Sequence, residues 1–522
     1  MFKALDSFLN KITMYRLVFY VLIGLILIAM ALGALGKVPF SPLEIFYSAV
    51  FFTFVCWVAN EVFAWAFDAP ANLESVYITA FILTLIVSPP KSADLGYLAF
   101  MGWAAVWAIA GKFILAIGKK HIFNPAALGV AMTALFAGMA ASWWVGTAVM
   151  APFVLVGGLL IVRKIRRADL AWAFFITATL TVCAFDAVAG FNIISALPKI
   201  FLDAPILFFG FIMLTEPLTT PPTKNLRIAY GILVGFLFAP QIHLTIGLNS
   251  FYLTPELVLL IGNVFAYIVS PKQKLILKLK EIVKLTPDTF DFVFTSPKQL
   301  AFAPGQYLEW TLGHEKTDSR GNRRYFTIAS SPTEPDIKMG VKFYGAQSPS
   351  PVNSHGTSSF KKSLSGMKSG DTIVASQLAG DFTLPKNTNQ KLAFIAGGIG
   401  VTPFRSMVKY LMDSKQQRDI VMLYSNKTIN DIAYKNLFDE AATKINLKII
   451  YALSDVGQLP GNWTGPTGYV SADVVKKYIP DFLDRHFYIS GPQAMVTMTD
   501  ETLRSLGLPE SQIKKDFFPG FA

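Results

Sequence analysis

No Asp, Glu, Lys or Arg interrupts the 41 residues from 122 to 162. One bilayer crossing takes about 20 apolar residues, so this run must hold more than one. Residues 17–36 form another uncharged apolar stretch, lying too deep in the chain for a cleaved signal peptide. Further apolar stretches fall near 43–67, 75–90, 95–117, 122–141, 144–162, 169–188, 204–219, 226–244 and 251–270, which makes ten spans. Those at 75–90 and 204–219 are short and broken by proline. Charge is scarce only up to this point. Residues 1–270 hold 15 Lys/Arg and 11 Asp/Glu, and residues 271–522 hold the other 31 and 23. A chain with 15% charged residues overall, against about 25% in soluble domains, is not one soluble globular protein. It reads as a polytopic membrane half joined to a soluble half.

Basic residues in the loops set the expected orientation. With the N-terminus inside, the cytoplasmic side carries 13: Lys3, Lys11, Arg16, Lys119, Lys120, Arg163, Lys164, Arg166, Arg167, Lys224, Arg227, Lys272 and Lys274. The outside has 3, Lys37, Lys91 and Lys199. The expectation is a multi-pass protein of a bacterial-type cytoplasmic (inner) membrane, with both termini and the soluble half in the cytoplasm. The net charge of +12 is not read as a nucleic-acid signal, since basic residues are expected beside membrane spans anyway, and no nucleic-acid partner is expected. Cys56 and Cys183, both in apolar runs, rule out a disulfide framework. They are too few for a Cys-ligated iron–sulfur cluster held by this chain alone. No metal centre is expected.

The two broken spans resemble each other. Ile82-Leu-Thr-Leu-Ile-Val-Ser-Pro-Pro90 and Met213-Leu-Thr-Glu-Pro-Leu-Thr-Thr-Pro-Pro222 occupy the third and eighth positions, five spans apart, and so cross in opposite directions. That is the pattern of a five-plus-five inverted repeat, whose discontinuous helices frame a ligand site near mid-membrane. Ionisable residues at membrane depth are costly and point to function, which singles out Glu216. Glu61, after Asn60, lies toward the cytoplasmic end of its span and is expected to reach the interface.

With Lys119-Lys-His-Ile-Phe-Asn-Pro-Ala-Ala-Leu-Gly129 added to these motifs, residues 15–270 resemble the D subunit of Rnf electron-transport complexes. They are equally similar to the B subunit of the sodium-translocating NADH:quinone reductase. The resemblance implies electrons passed through a flavin held in the membrane. Those families attach FMN to a Ser-Gly-Ala-Thr threonine, and that tetrapeptide does not occur here. The flavin expected is therefore non-covalent FMN or riboflavin, in a site lined by Asn124, Thr215 and Glu216.

From Leu275 the chain turns to short β-type runs, 275–279 and 290–295 among them, with Ala303-Pro-Gly-Gln-Tyr307 before another. After residue 390, apolar runs at 392–396, 420–424, 448–453 and 486–489 alternate with helical stretches, a β-α-β organisation with a parallel sheet. The predicted fold is a polytopic α-helical membrane domain (1–270), an antiparallel FAD-binding β-barrel (271–388) and a doubly wound α/β NAD(P)-binding domain (389–522). Strand alternation puts Arg324 and Phe326 on one face, where a diphosphate and a flat ring system can lie side by side. Gly397-Gly-Ile-Gly-Val-Thr-Pro403 follows a strand and precedes a helix predicted over 404–412. Glycines there let the backbone approach a pyrophosphate whose charge the helix N-terminus favours. Ser490-Gly491-Pro492 ends a strand at the edge where ligands of such sheets bind.

In order, Pro-Gly-Gln-Tyr, Arg324-Tyr-Phe-Thr327, Gly356-Thr-Ser-Ser359, Gly370-Asp371, Gly380-Asp-Phe-Thr-Leu-Pro385 and 397–403 resemble the ferredoxin-NADP reductase superfamily over about 272–522. The resemblance implies FAD, with Arg324 on its pyrophosphate and Phe326 and Thr327 at the flavin. Tyr325 and Lys342 lie beside them, and Gly356, Ser358 and Ser359 would wrap the diphosphate. NAD(P)H would lie over Gly397, Gly398, Gly400, Thr402 and Pro403, with Ser425, Lys427, Gly491 and Pro492 around it. The resemblance places Thr327, Thr402 and Ser490 at the reacting rings, and Phe518 and Phe521 as aromatics against the flavin. Phe326 stands where Tyr is usual and Ser490 where Cys is usual, so the ring survives without its hydroxyl. Ser425 and Lys427 lean toward NADPH, since a cation suits a 2′-phosphate.

The expected activity is that of a membrane flavoprotein oxidoreductase. Hydride passes from NAD(P)H to FAD, and electrons continue to a membrane-embedded flavin or quinone. The expected partners are membrane lipid, an electron acceptor (quinone, flavin or another protein) and a second copy of the chain. The alternative is a transporter or channel regulated by a redox-sensing reductase domain. A haem-dependent reductase is disfavoured, because the membrane half offers only His121 and His243, both near span ends.

Overall fold

The computed structural model describes residues 5, 8–9, 12–67, 73–91, 94–117, 120–202, 205–246, 249–270, 275–314, 322–343 and 358–516. The chain divides into two compact units, Met1–Ser270 and Pro271–Ala522.

The first unit is helical. Its helices are α1 (Met14–Ala34), α2 (Pro42–Ala66), α3 (Leu73–Ile86), α4 (Leu95–Ile114), α5 (Pro125–Ala137), α6 (Ala151–Ile165), α7 (Ala168–Val188) and α8 (Ile193–Leu202). They continue with α9 (Ile206–Phe208), which runs into a π-helical turn (Phe209–Met213), then α10 (Lys224–Leu237) and α11 (Pro255–Val269). Each of the ten apolar stretches thus coincides with a helix, and α8 occupies a connection between two of them. Among the described residues four helices, α1, α2, α4 and α7, are long and apolar enough to cross a membrane. Local chemistry starts several of them. Ser41 caps α2 in a reciprocal box with Glu44, ahead of Pro42. Asn124 caps α5 ahead of Pro125. Large apolar side chains such as Phe54, Trp65, Leu95 and Val188 stay exposed, the surface expected of a lipid-facing unit.

Helix α1 packs on α2 and α3, α2 on α3 and α4, and α4 on α5. Further along, α6 packs on α7 and α9, α7 on the π-turn and α10, and α10 on α11. Contacts α1–α6 and α5–α11 join the two groups. Gly231 and Gly235 let α10 lie on the α7 backbone, since a Cβ at either would come within 2.8 Å of Leu170 O or 2.7 Å of Phe174 O. The α3 exit keeps its carbonyls satisfied. Thr84 O and Val87 O accept from Trp144 Nε1 (2.9 and 3.1 Å), and Ile86 O accepts from Trp143 N (2.8 Å). Irregular backbone at membrane depth requires such internal partners.

The second unit opens with an antiparallel sheet of β1 (Leu275–Thr286), β2 (Thr289–Thr295), β3 (Tyr307–Thr311), β4 (Arg323–Thr327), β5 (Ile337–Lys342) and β6 (Thr372–Ala379), in the order β4-β3-β6-β1-β2-β5. The edges β4 and β5 meet where Ala329 N donates to Lys338 O at 2.9 Å. Helix α12 (Ser359–Ser365) precedes β6. A parallel sheet follows, of β7 (Leu392–Gly397), β8 (Ile420–Asn426), β9 (Leu447–Leu453), β10 (His486–Ser490) and β11 (Ile513–Asp516), in the order β9-β8-β7-β10-β11. Helices α13 (Thr402–Asp413) and α14 (Lys435–Lys444) pack on one side through Phe404, Met407 and Phe438. Helices α15 (Ala472–Tyr478) and α16 (Gln493–Ser505) pack on the other through Val475, Val496 and Leu503. Central β7 is buried along its whole length, as a parallel strand covered on both faces must be.

Several boundaries differ from the sequence expectation, the largest being β1, which runs on to Thr286 rather than ending at 279. Helix α13 begins at Thr402 rather than Phe404, after a 3-10 turn over Gly398–Val401. Proline fits the first helical turn, whose N–H groups have no intrahelical acceptor. Strand β8 runs on to Asn426 because Ser425 pairs with Gly397 and Asn426 with Leu453. Ser425 is therefore a strand residue, and only Lys427 opens the loop.

Candidate active site

The parallel sheet reverses its strand order between β7 and β10, and the crevice beyond the strand ends there is where such sheets take ligands. Ala396 lies opposite Ser490, and Gly397 opposite Ser425. The glycine turn and Gly491 touch backbone to backbone across this point. A Cβ at Gly400 would sit 2.4 Å from Gly491 Cα, and one at Gly397 would sit 2.1 Å from Met495 Sδ. The cradle thus admits only bare backbone, which suits a pyrophosphate. Thr402, Pro403 and Ser490 are buried beside it, with Pro492 leading into α16.

On the antiparallel sheet, Arg324 and Phe326 share a face, as alternation predicts. The Arg324 guanidinium lies 5.5 Å from the Phe360 ring centroid, and the Phe326 ring lies 6.0 Å from it. Tyr325 turns the other way and donates to Glu309 Oε2 at 2.7 Å. Thr327 is buried opposite Tyr307. Ser358 caps α12 by accepting from Lys361 N, and Ser359 Oγ bonds His314 Nε2 at 3.0 Å. A buried cation beside a half-buried flat ring fits a flavin dinucleotide. Lys342 pairs with Asp288 at 3.0 Å and Asp431 at 3.8 Å. Gly356, Phe518 and Phe521 lie outside the described residues.

The family model for the oxidoreductase NAD-binding domain matches residues 394–501. The chain is 25% identical over 232 residues to the glycine betaine monooxygenase reductase component of Chromohalobacter salexigens, covering 44% of this chain and 60% of that one. It is 29% identical over 265 residues to the F component of the Na(+)-translocating NADH-quinone reductase of Psychrobacter arcticus, covering 46% and 64%. The family match falls within the second unit. Residues 271–522 hold an NAD(P)H-dependent flavin reductase domain. A third relative, the plasma membrane-associated coenzyme Q6 reductase of Saccharomyces cerevisiae, is 30% identical over 149 residues, covering 28% of this chain and 47% of that one. The chain therefore spans less than two thirds of the length of each of these relatives.

Sequence reasoning missed what joins the two sheets of this domain. Arg405 pairs with Glu334, with Nη2 donating to Oε1 at 2.8 Å, and its Nη1 also reaches Ala329 O at 3.0 Å. Burial alone would raise the Glu334 carboxyl, but the Arg405 hydrogen bonds and charge outweigh it and hold it at about 2. Ser406 Oγ donates to Ser330 O at 2.7 Å. Tyr434 Oη donates to Asp291 Oδ1 at 2.5 Å. Position was the available signal, since Arg405 and Ser406 lie one turn past the glycine loop.

In the membrane unit, Asn124 and Glu216 do meet. Glu216 Oε2 accepts from Asn124 Nδ2 at 2.9 Å and from Thr219 Oγ1 at 3.3 Å, and Oε1 bonds His121 Nε2 at 3.1 Å. Asn263 extends the cluster, accepting from Asn124 N at 2.8 Å and donating to Tyr230 Oη at 3.1 Å. Thr215 is buried and bonds back to Phe211 O at 2.7 Å within its own turn. The carboxylate ties the Thr-Glu-Pro exit to the start of α5. Glu61 is exposed, as expected of a residue reaching the interface.

Proposed function

We propose that this chain is a multi-pass membrane oxidoreductase that takes hydride from NAD(P)H in its reductase domain and delivers electrons to a quinone-type or flavin acceptor within its helical half. The observation that carries this reading is the fusion of the glycine cradle and the Arg324–Phe326 face to a helical unit with repeated internal packing. Under a shift that takes α1 to α6, α2 to α7, α3 to α9 with its π-turn, α4 to α10 and α5 to α11, the pairs α1–α2, α1–α3, α2–α3, α2–α4 and α4–α5 each recur. The joining contacts α1–α6 and α5–α11 map onto themselves. This supports ten spans in a five-plus-five inverted repeat, with the reductase domain and both termini on the cytoplasmic side. Two relatives carry names that make them coenzyme Q or NADH-quinone reductases, which favours a quinone as acceptor. The Asn124–Glu216–His121 cluster, where the two repeats touch, is the candidate acceptor site, and a flavin there would be non-covalent.

Bound FAD would supply the conversion of a hydride into single electrons. The chain's own residues do the rest. Arg324 neutralises a diphosphate, Phe326 offers a ring face, and Gly397, Gly398 and Gly400 bring backbone N–H groups to the dinucleotide. Thr402 and Ser490 border the place where the two rings meet. The test is anaerobic addition of NADH and NADPH to the purified chain, followed by a short-chain quinone. Bleached flavin that recovers on quinone addition is expected. Absence of FAD, or flavin that quinone leaves bleached, would contradict the proposal.

A further inference from the structure

Gly340 on β5 lies in register with Asp291 on β2, and three groups from the other sheet converge on it. A Cβ at Gly340 would come within 2.7 Å of Tyr434 Oη, 2.8 Å of Thr402 Cγ2 and 3.3 Å of Ile399 Cδ1. The glycine turn that receives the nicotinamide side is thus seated on the flavin-side sheet, and Tyr434 is seated beside it. Tyr434 holds φ at +58°, a conformation so large a side chain adopts only where its surroundings impose it. Its ring lies 5.7 Å from the Arg405 guanidinium. Burial, with the Asp291 charge, holds the Tyr434 hydroxyl well above the ordinary phenol range, so it remains a donor.

We infer that Tyr434, tied through its hydroxyl to Asp291, is a positioning residue for hydride transfer, which sets how closely the 398–402 turn approaches the strand bearing Arg324, Phe326 and Thr327. The two candidate ring-contacting threonines sit at the starts of two segments fastened to each other. Ala329 and Ser330, just past Thr327, receive bonds from Arg405 and Ser406, just past Thr402. Those bonds grip α13 from one side. Tyr434 supports the turn at Gly340, at the level of Ile399 and Thr402 themselves. Hydride transfer falls steeply when the reacting atoms move apart by a fraction of an ångström. Loss of the Tyr434–Asp291 bond therefore reaches the chemical step, although neither side chain need touch substrate. The inference rests on reading 398–402 as the nicotinamide side and β4 as the flavin side.

Three full-length proteins test it: wild type, Tyr434→Phe, which keeps the ring and removes Oη, and Asp291→Asn, which keeps an acceptor oxygen. Anaerobic stopped-flow reduction with NADH, and with NADH deuterated at C4, gives the hydride-transfer rate and its isotope effect. Amide hydrogen exchange across 398–405, before any nucleotide is added, reports the seating of the turn. Tyr434→Phe should keep its FAD and its NADH affinity. It should lose about tenfold in rate at saturating NADH, show a larger and more temperature-dependent isotope effect, and exchange faster across 398–405. Asp291→Asn should stay close to wild type. An unchanged rate and isotope effect in Tyr434→Phe would overturn the inference. Loss of FAD, or a lower melting temperature with the isotope effect unmoved, would make Tyr434 a structural residue and also overturn it. A wild-type protein that holds FAD but is not bleached by NADH or NADPH would instead overturn the reading of the site, and the inference with it.

Discussion

Arg324 and Glu334 are buried charges with opposite prospects. On the proposed reading Arg324 would meet the FAD diphosphate, and a charge-assisted bond of that kind contributes roughly 1.5–3 kcal/mol. Arg324→Ala should therefore weaken FAD retention by roughly 10- to 100-fold, read as flavin content after gel filtration. Normal content would remove Arg324 from the site. Glu334 already has its partner. Its carboxyl lies below the ordinary 4.5, at about 2, so the folded state prefers it ionised. The stabilisation is fully present above about pH 4.5 and is lost as pH falls from there toward 2, amounting to about 3 kcal/mol. Burial raises the Asp291 carboxyl, which works in the opposite direction and offsets part of that loss. Glu334→Gln should flatten the acid limb of a melting-temperature-against-pH curve while lowering stability at pH 7. An unchanged acid limb would contradict the assignment. The shared face of Arg324 and Phe326 was legible in the sequence because it follows from strand alternation. The Arg405–Glu334 pair was not, because its partners stand 71 residues apart and each looks like a solvated surface charge until the two sheets are brought together.

At the scale of elements, the glycine turn was the most readable feature, since strand, turn and helix are contiguous and their chemistry is local. What escaped was where neighbours extend an element. Strand β8 gains Ser425 and Asn426 from pairing on both sides, and no propensity in Ser-Asn-Lys announces it. The broken spans were likewise visible as proline motifs, and Asn124 and Glu216 as neighbours, whereas the second partner of Glu216 was not. His121 lies 95 residues away, in a hairpin of Ala116–Ile117 with Lys120–His121 that apolar patterning cannot show. The cradle makes its own prediction. Gly400→Ala would press a methyl group against Gly491 and push the turn outward. FAD content should stay normal while kcat/KM for NAD(P)H falls about 100-fold. A variant with unchanged kcat/KM would show that the close approach of Gly400 and Gly491 is not needed for nucleotide binding.

For the whole molecule, the proposal is that the helical half does more than anchor a reductase. On that reading a second carrier would be held by the helices, because FAD in the reductase domain cannot alone carry electrons into a hydrocarbon core about 30 Å thick. The repeated packing of α1–α5 in the later helices, and the Asn124–Glu216–His121 cluster at their junction, would give that carrier a place. The most direct measurement is an anaerobic NADH titration of the purified full-length chain, counting electron equivalents taken up per chain against its FAD content. The account predicts more than the two equivalents one FAD accepts, about four with a second two-electron carrier, and no flavin fluorescence on a denaturing gel. Saturation at two equivalents, with one FAD and no quinone recovered on extraction, would contradict it and leave the membrane half as an anchor.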